Sequence, residues 1–92
     1  MGEIYKVKYH YLVERDLKRI SPPLQKIIFL TTKEKLSTNP ALFGKPLRHL
    51  RNYRKLRVSD YRIIFKIQKE TVYILLIAHR SVIYKEIYKR MR

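Results

Sequence analysis

The chain has 92 residues, 46% of them apolar, and sets 22 lysines and arginines against seven acids for a formal net charge of +15. A chain this short buries one hydrophobic core and not two, so a single domain over 1–92 is expected; the absence of cysteine removes disulfides and thiolate metal sites, and three histidines without ligand spacing give no reason to expect a metal or a cofactor. No run approaches the roughly 20 apolar residues of a membrane span, and the opening MGEIYKVKYH lacks the apolar stretch of a signal peptide, so the expectation is a cytoplasmic protein with no membrane role whose positive charge seeks a polyanion.

Residues 4–9, IYKVKY, alternate apolar residues with lysine and predict a short half-buried strand. Leu12, Val13, Leu17 and Ile20 recur at helical spacing; Ser21-Pro22-Pro23 then breaks the chain where serine can cap a second helix whose first turn tolerates proline. That helix carries Leu24, Ile27, Ile28 and Leu36 on or near one face and is expected to end between Ser37 and Pro40, because the residue before a proline disfavours helix. Ala41 to Asn52, with Gly44 and Pro46 and no clean period, reads as a connecting loop rich in arginine and histidine. Three alternating runs follow, YRKLRV, YRIIFKI and VYILLIAH, separated by Ser59-Asp60 and QKET, which predicts an antiparallel meander. After His79 the residues Ile83, Tyr84, Ile87, Tyr88 and Met91 return on one helical stripe, so a C-terminal helix closes the chain. The order strand, helical hairpin, three-stranded antiparallel meander, helix is an α+β fold, with its helices expected on one face of the sheet.

Charge is concentrated as well as abundant: Lys45 to Lys66 holds eight basic residues and one acid, Asp60. Two-residue turns at Ser59-Asp60 and Lys69-Glu70 would pair Arg57 with Arg62, Ile67 with Val72 and Ile63 with Leu76, and paired residues share a face. One face then holds Leu56, Val58, Tyr61, Ile63, Phe65, Ile67, Val72, Ile74, Leu76 and Ala78 without a charge. The other gathers Lys55, Arg57, Arg62 and Lys66 with Ile64, Tyr73, Leu75, Ile77 and His79, and leaves out Arg54. Opposed like charges destabilise a sheet by about 0.2 to 1 kcal/mol per pair. A chain that keeps Arg57 beside Arg62 has a use for them, and a bidentate grip on phosphate is the use that guanidinium geometry favours over two arginines splayed into water.

The run from Tyr53 to Lys66, followed by Leu76-Ile-Ala-His-Arg and Tyr84, resembles the RelE/ParE toxins, whose pattern is roughly basic-x-basic-V-G-D-Y-R and then H-R-x-x-x-Y. The likeness extends to the order of the front elements and covers nearly the whole chain. It implies a toxin of a type II toxin-antitoxin pair that cuts messenger RNA, often on the ribosome, by attack of the RNA's own 2′-hydroxyl on the adjacent phosphate, with no metal or cofactor. It places catalytic roles on Lys55, Arg57, Arg62, Arg80 and Tyr84, with Arg48, Arg51, Arg54, Lys66 and His79 as flanking RNA-binding candidates, and it implies an acidic cognate antitoxin, mRNA and the ribosome as partners. Preorganised cations suit a reaction that builds negative charge on a phosphorane. Arginine keeps its proton to above about pH 12, so Arg57, where some members carry lysine, is a poor base; Lys55, crowded by Arg54, Arg57 and Arg62, is the candidate, with His79 the alternative acid or base. Tyr84 has two readings, an RNA contact or a core contact of the last helix beside Ile83 and Ile87. Arg80 rests on the resemblance, since strict alternation turns it towards the helices unless the strand end bends. A ParE-like protein that poisons DNA gyrase and a non-catalytic RNA-binding module are the rival functions.

Overall fold

The computed structural model describes residues 5–50 and 52–91. One sheet runs in the order β1-β5-β4-β3-β2, with β1 Lys6–Tyr9, β2 Lys45–Pro46, β3 Tyr53–Val58, β4 Tyr61–Gln68 and β5 Thr71–His79. The helices are α1 Val13–Lys18, α2 Pro22–Thr31, α3 Pro40–Phe43 and α4 Ile83–Arg90, and a π turn at Thr32–Leu36 extends α2. β3, β4 and β5 form the antiparallel meander that the three alternating runs predict, and β1 adds to β5 in parallel with Val7 beside Val72. The class is α+β, as the element order implies. Among the described residues no helix is long and apolar enough to cross a membrane.

Both turns fall at the polar breaks, and the first residue of each, Ser59 and Lys69, has φ 55°. Two-residue hairpin loops need that left-handed geometry to match the twist of their strands. Ser21 stands at the N-cap of α2 but its hydroxyl makes no capping bond; Pro22 at the first helical position and the Gln25 N–H donating to the Ser21 carbonyl start the helix instead. The stretch from 41 onward is more ordered than a connecting loop, because α3 and β2 are both too short to show a period. Gly44 lies between them, packed on Phe65, and a Cβ there would run into the phenyl ring.

One face of the sheet buries Leu56, Val58, Ile63, Phe65, Val72, Ile74 and Ile77 against Val13, Ile20, Ile28 and Leu36. Each such side chain is worth about 1.5 to 3 kcal/mol when taken out of water, so this layer carries much of the fold. Ile27, expected near the inward face of α2, is 52% exposed because its helical angle is a quarter turn from that of Ile28.

Two expectations about the sheet are overturned. Ile63 pairs with Ile77 and not with Leu76, since β5 bulges at Leu75: Phe65 faces Ile74 while Ile64 faces Leu76. Leu75 and Leu76 are thereby both buried with Ile64 under Ile83 and Ile87 of α4, which is the physical gain that a regular strand would forgo. The extra residue shifts the alternation by one, so Leu76 and Ala78 leave the α1–α2 side and Ile77 and His79 join it. Nor do the helices share a face: α1 and α2 cover one side and α4 covers part of the other.

A buried carboxylate ties these layers together. β1 stops at Tyr9, opposite Ile74, and leaves the later part of β5 with no strand on that edge, its other edge being paired with β4. There Asp16 accepts a hydrogen bond from the Ile77 N–H at 3.1 Å and two from the Arg90 guanidinium at 2.7 and 3.0 Å, while Arg90 also donates to the Leu75 carbonyl at 2.7 Å. The two side chains are 7% and 8% exposed, so one short helix, one sheet edge and the end of α4 depend on a single pair.

Candidate nucleic-acid interface

The side of the sheet away from α1 and α2 carries the charge. Arg57 stands directly opposite Arg62, Lys55 opposite Ile64, and β2 adds Lys45 opposite Lys55. Two rows of opposed like charges thus lie about 7 Å apart along β3, each unfavourable to the sheet in the absence of an anion. Arg62 donates to the Ser59 carbonyl at 3.2 Å and the Tyr61 carbonyl at 3.0 Å. The Arg80 N–H donates to the Asp60 carbonyl at 2.8 Å, and its Nε lies 3.7 Å from the Asp60 carboxylate. One turn therefore anchors Arg62 and Arg80 at the end of the sheet where Arg57 lies. The bulge also resolves how Arg80 gets there: with Ala78 opposite Arg62, plain alternation from Ala78 puts Arg80 on the charged side. The Arg80–Asp60 pair is exposed on both sides and adds little to stability.

Lys55 and Tyr84 are joined. The Lys55 ammonium donates to the Tyr84 hydroxyl at 2.9 Å and lies 5.6 Å from the ring centroid, which puts it beyond the hydroxyl end of the ring and not over its face. Tyr84 is 54% exposed while Ile83 and Ile87 make the core contacts of α4, so it is not a core residue. Beside this pair a cleft of about 470 Å³ opens between α4 and the segment after α3. Leu47, Leu50 and Ile87 line it together with Lys45, Arg48 and Tyr88, a mixture of apolar wall and cationic rim in the size range of ligand sites.

The remaining candidates divide. Arg48 lines the cleft. Lys66 pairs with Tyr53 and Tyr73, and its ammonium lies 5.8 and 5.6 Å from their ring centroids. Arg54 is opposite Phe65, on the other face, where it donates to the Ala41 carbonyl at 3.0 Å, so the cations flanking Lys55 are Lys45, Arg57 and Arg62 and not Arg54. His79, expected on the charged face, lies on the α1–α2 side edge-on to Tyr61 at 5.4 Å, and its Nδ1 accepts from the Ser81 N–H at 3.1 Å. Arg51 falls outside the described residues. Among the described residues no three histidines or carboxylates gather as metal ligands. Sequence reasoning missed Lys45, hidden in a strand of two residues, and took Tyr88 only as part of a helical stripe, although its spacing of four from Tyr84 puts both on one side of α4.

The arrangement can hold a phosphate between paired guanidiniums and present a hydroxyl and an ammonium beside it. Known proteins share this framework. A family model described as the ParE toxin of the type II toxin-antitoxin system, parDE, matches residues 7–84. Toxin RelG of Mycobacterium tuberculosis is 33% identical over 84 residues, covering 88% of this chain and 97% of RelG. The RelBE2 toxin-antitoxin complex of the same organism contains a chain of TM-score 0.78 and 30% identity, with 88% of this chain and 97% of that one covered. The RelB-RelE complex of Methanococcus jannaschii gives a TM-score of 0.68 at 25% identity, over 84% of this chain and 94% of the other. By the family match along most of its length and by its likeness to RelG, the chain belongs to the RelE/ParE superfamily of type II toxin-antitoxin toxins.

Proposed function

We propose that the chain acts as a single-domain endoribonuclease that cuts mRNA on the ribosome without a metal or cofactor. The observation that carries this reading is the Lys55–Tyr84 hydrogen bond of 2.9 Å set beside the opposed Arg57 and Arg62 on one sheet face. In the proposed reaction a 2′-oxygen attacks the adjacent phosphorus, the bond from phosphorus to the 5′-oxygen breaks, and the products are a 2′,3′-cyclic phosphate and a 5′-hydroxyl. Arg57, Arg62 and Arg80 neutralise the charge that builds on the phosphorane. Lys55 first releases one ammonium proton to solvent; the proton of the 2′-hydroxyl then passes to the Lys55 amine, directly or through the Tyr84 hydroxyl, and the resulting ammonium returns it to the leaving 5′-oxygen. Lys45 and Arg48 steer the strand into the cleft, and Lys66 holds it further along the face. Arg54 and His79 have no part in this reading, being on the far side of the sheet.

An acidic antitoxin that covers the charged face is the proposed cellular partner, by analogy with the antitoxin complexes in which the two solved relatives were captured. The test is to incubate purified toxin with translating ribosomes and map the ends of the message. Discrete cuts that vanish in Arg62→Ala, Arg80→Ala are expected; intact messages in the presence of the unaltered chain sink the proposal. The ParE description of the matching family model favours one rival, a gyrase poison. Growth arrest with broken chromosomes and uncut messages would choose that rival.

A further inference from the structure

At the end of the charged face remote from Arg57, a row of side chains crosses four strands. Lys8 of β1 pairs with Tyr73 of β5, Tyr73 with Lys66 of β4, and Lys66 with Tyr53 of β3. Partners share a face, and the neighbouring row, Val7 with Val72, turns into the α1–α2 core, so these four turn the other way. Cation, aromatic, cation and aromatic thus alternate across the sheet, over about 14 Å at the usual strand spacing. The Lys66 ammonium lies 5.6 and 5.8 Å from the two rings and has no hydrogen-bond or ion-pair partner among the described residues. Neither tyrosine hydroxyl has a hydrogen-bond partner among the described residues, and both rings are only half-buried. No acid stands in the row.

We infer that Lys8, Tyr73, Lys66 and Tyr53 form a second contact site for single-stranded RNA, apart from the Arg57–Arg62 site and on the same face. Flat π faces interleaved with cations suit a single strand of any sequence, since each base can stack and each phosphate can meet an ammonium. The separation fits one continuous strand: the four steps of β3 from Tyr53 to Arg57 span about 13 Å, or about four nucleotides at the 3.4 Å rise of a stacked strand and fewer when the strand is stretched. The site deepens the RNA-cutting proposal and rests on it only for the identity of the strand.

The test uses the whole chain and a fluorescent RNA of about twelve nucleotides, fully 2′-O-methylated so that it cannot be cut. Lys66→Gln should lower the slope of log affinity against log salt by about 0.7, the value for one phosphate contact of a single strand, whereas Lys26→Gln on the outer side of α2 should leave it unchanged. Tyr73→Leu should weaken binding about fivefold to a hundredfold. Because that variant disturbs a half-buried ring, a second readout places 5-iodouracil at single positions along the RNA; irradiation should join Tyr53 or Tyr73 to a nucleotide some positions away from the one joined to Tyr84. Equal behaviour of Lys66→Gln and Lys26→Gln, or no cross-link to either tyrosine, overturns the second site and leaves the cutting proposal standing. A chain that cross-links at the row yet never cuts unmodified message overturns the cutting proposal and leaves the second site standing.

Discussion

The two sides of the sheet are built from the same strands under opposite constraints. On the α1–α2 side, Ile63, Phe65, Val72 and Ile74 are fully buried, and the strand cation there, Arg54 beside Phe65, turns its guanidinium to the Ala41 carbonyl at the rim. On the other side α4 packs over Ile64, Leu75 and Leu76 in the middle of the sheet, leaving Arg57 and Arg62 at one end and Lys66 with Tyr53 and Tyr73 at the other. Stability is concentrated in the first face and the proposed chemistry in the second, which tolerates opposed arginines because the first supplies the margin. Substitutions that read stability and RNA cutting separately should respect this division.

The largest expected effect is at the point that ties the sides together. Asp16→Ala leaves the Arg90 guanidinium buried with the Leu75 carbonyl but no counter-charge, and the Ile77 N–H without its acceptor, and it should cost about 3 to 5 kcal/mol, since stranding one member of a buried pair is far worse than replacing both. Asp16→Leu combined with Arg90→Met should recover much of that loss, as read by urea denaturation. A loss below about 1 kcal/mol in the single variant, the size of an ordinary exposed pair, would mean that α4 is held by Ile83 and Ile87 alone.

Next comes Tyr84→Phe, which removes the hydroxyl that accepts from Lys55 and touches nothing in the core. Cutting of ribosome-bound message should fall about a hundredfold, within the usual range for a positioned proton-transfer group, while the melting midpoint stays in place. Unchanged cutting would assign Lys55 its role without Tyr84 and break the claim that the second face works through paired groups.

Most of this division was legible in the chain. The alternation in YRKLRV and YRIIFKI, with Ser59-Asp60 between them, set the β3–β4 pairing residue by residue, so Arg57 opposite Arg62 was readable from sequence alone. The β4–β5 pairing was readable only as far as Ile74. Every residue of Val72 to Ala78 except Tyr73 is apolar, so no polar alternation marks which position is extra, and a bulge at Leu75 leaves no trace in such a run. His79 was misplaced for that reason, and the side of the sheet on which Arg80 falls could not be read from alternation. The Asp16–Arg90 tie was invisible because its partners lie 74 residues apart. Placement of α4 on the second face was equally hidden, since a helical stripe does not say which side of a sheet it covers.

Removing one arginine of the opposed pair should separate the two properties in the reverse sense. Arg57→Thr relieves the repulsion with Arg62 and puts a β-branched residue in a strand, so stability should rise by about 0.2 to 1 kcal/mol. Cutting should fall in the same protein. A destabilised variant would show that Arg57 makes a favourable contact in the free toxin and that the charged face carries no cost.

The smallest effect concerns His10, which joins β1 to α1. Its Nδ1 accepts from the Leu12 N–H at 3.1 Å, a bond that a protonated ring cannot make. Burial lowers its pKa below the ordinary 6.5, the Arg90 charge adds to the lowering, and Asp16 opposes it. A lowered folded-state pKa means that between the two values the unfolded chain holds the extra proton, so stability rises with pH across that interval. Denaturation midpoints should therefore fall as the solution is acidified below 6.5, and the fall should level off once the folded protein is protonated as well. His10→Asn, which keeps an acceptor near Leu12 and does not titrate, should lose this part of the pH dependence while retaining whatever the carboxylates contribute. An identical pH profile in the variant would show that the bond from the Leu12 N–H to His10 carries none of the acid sensitivity.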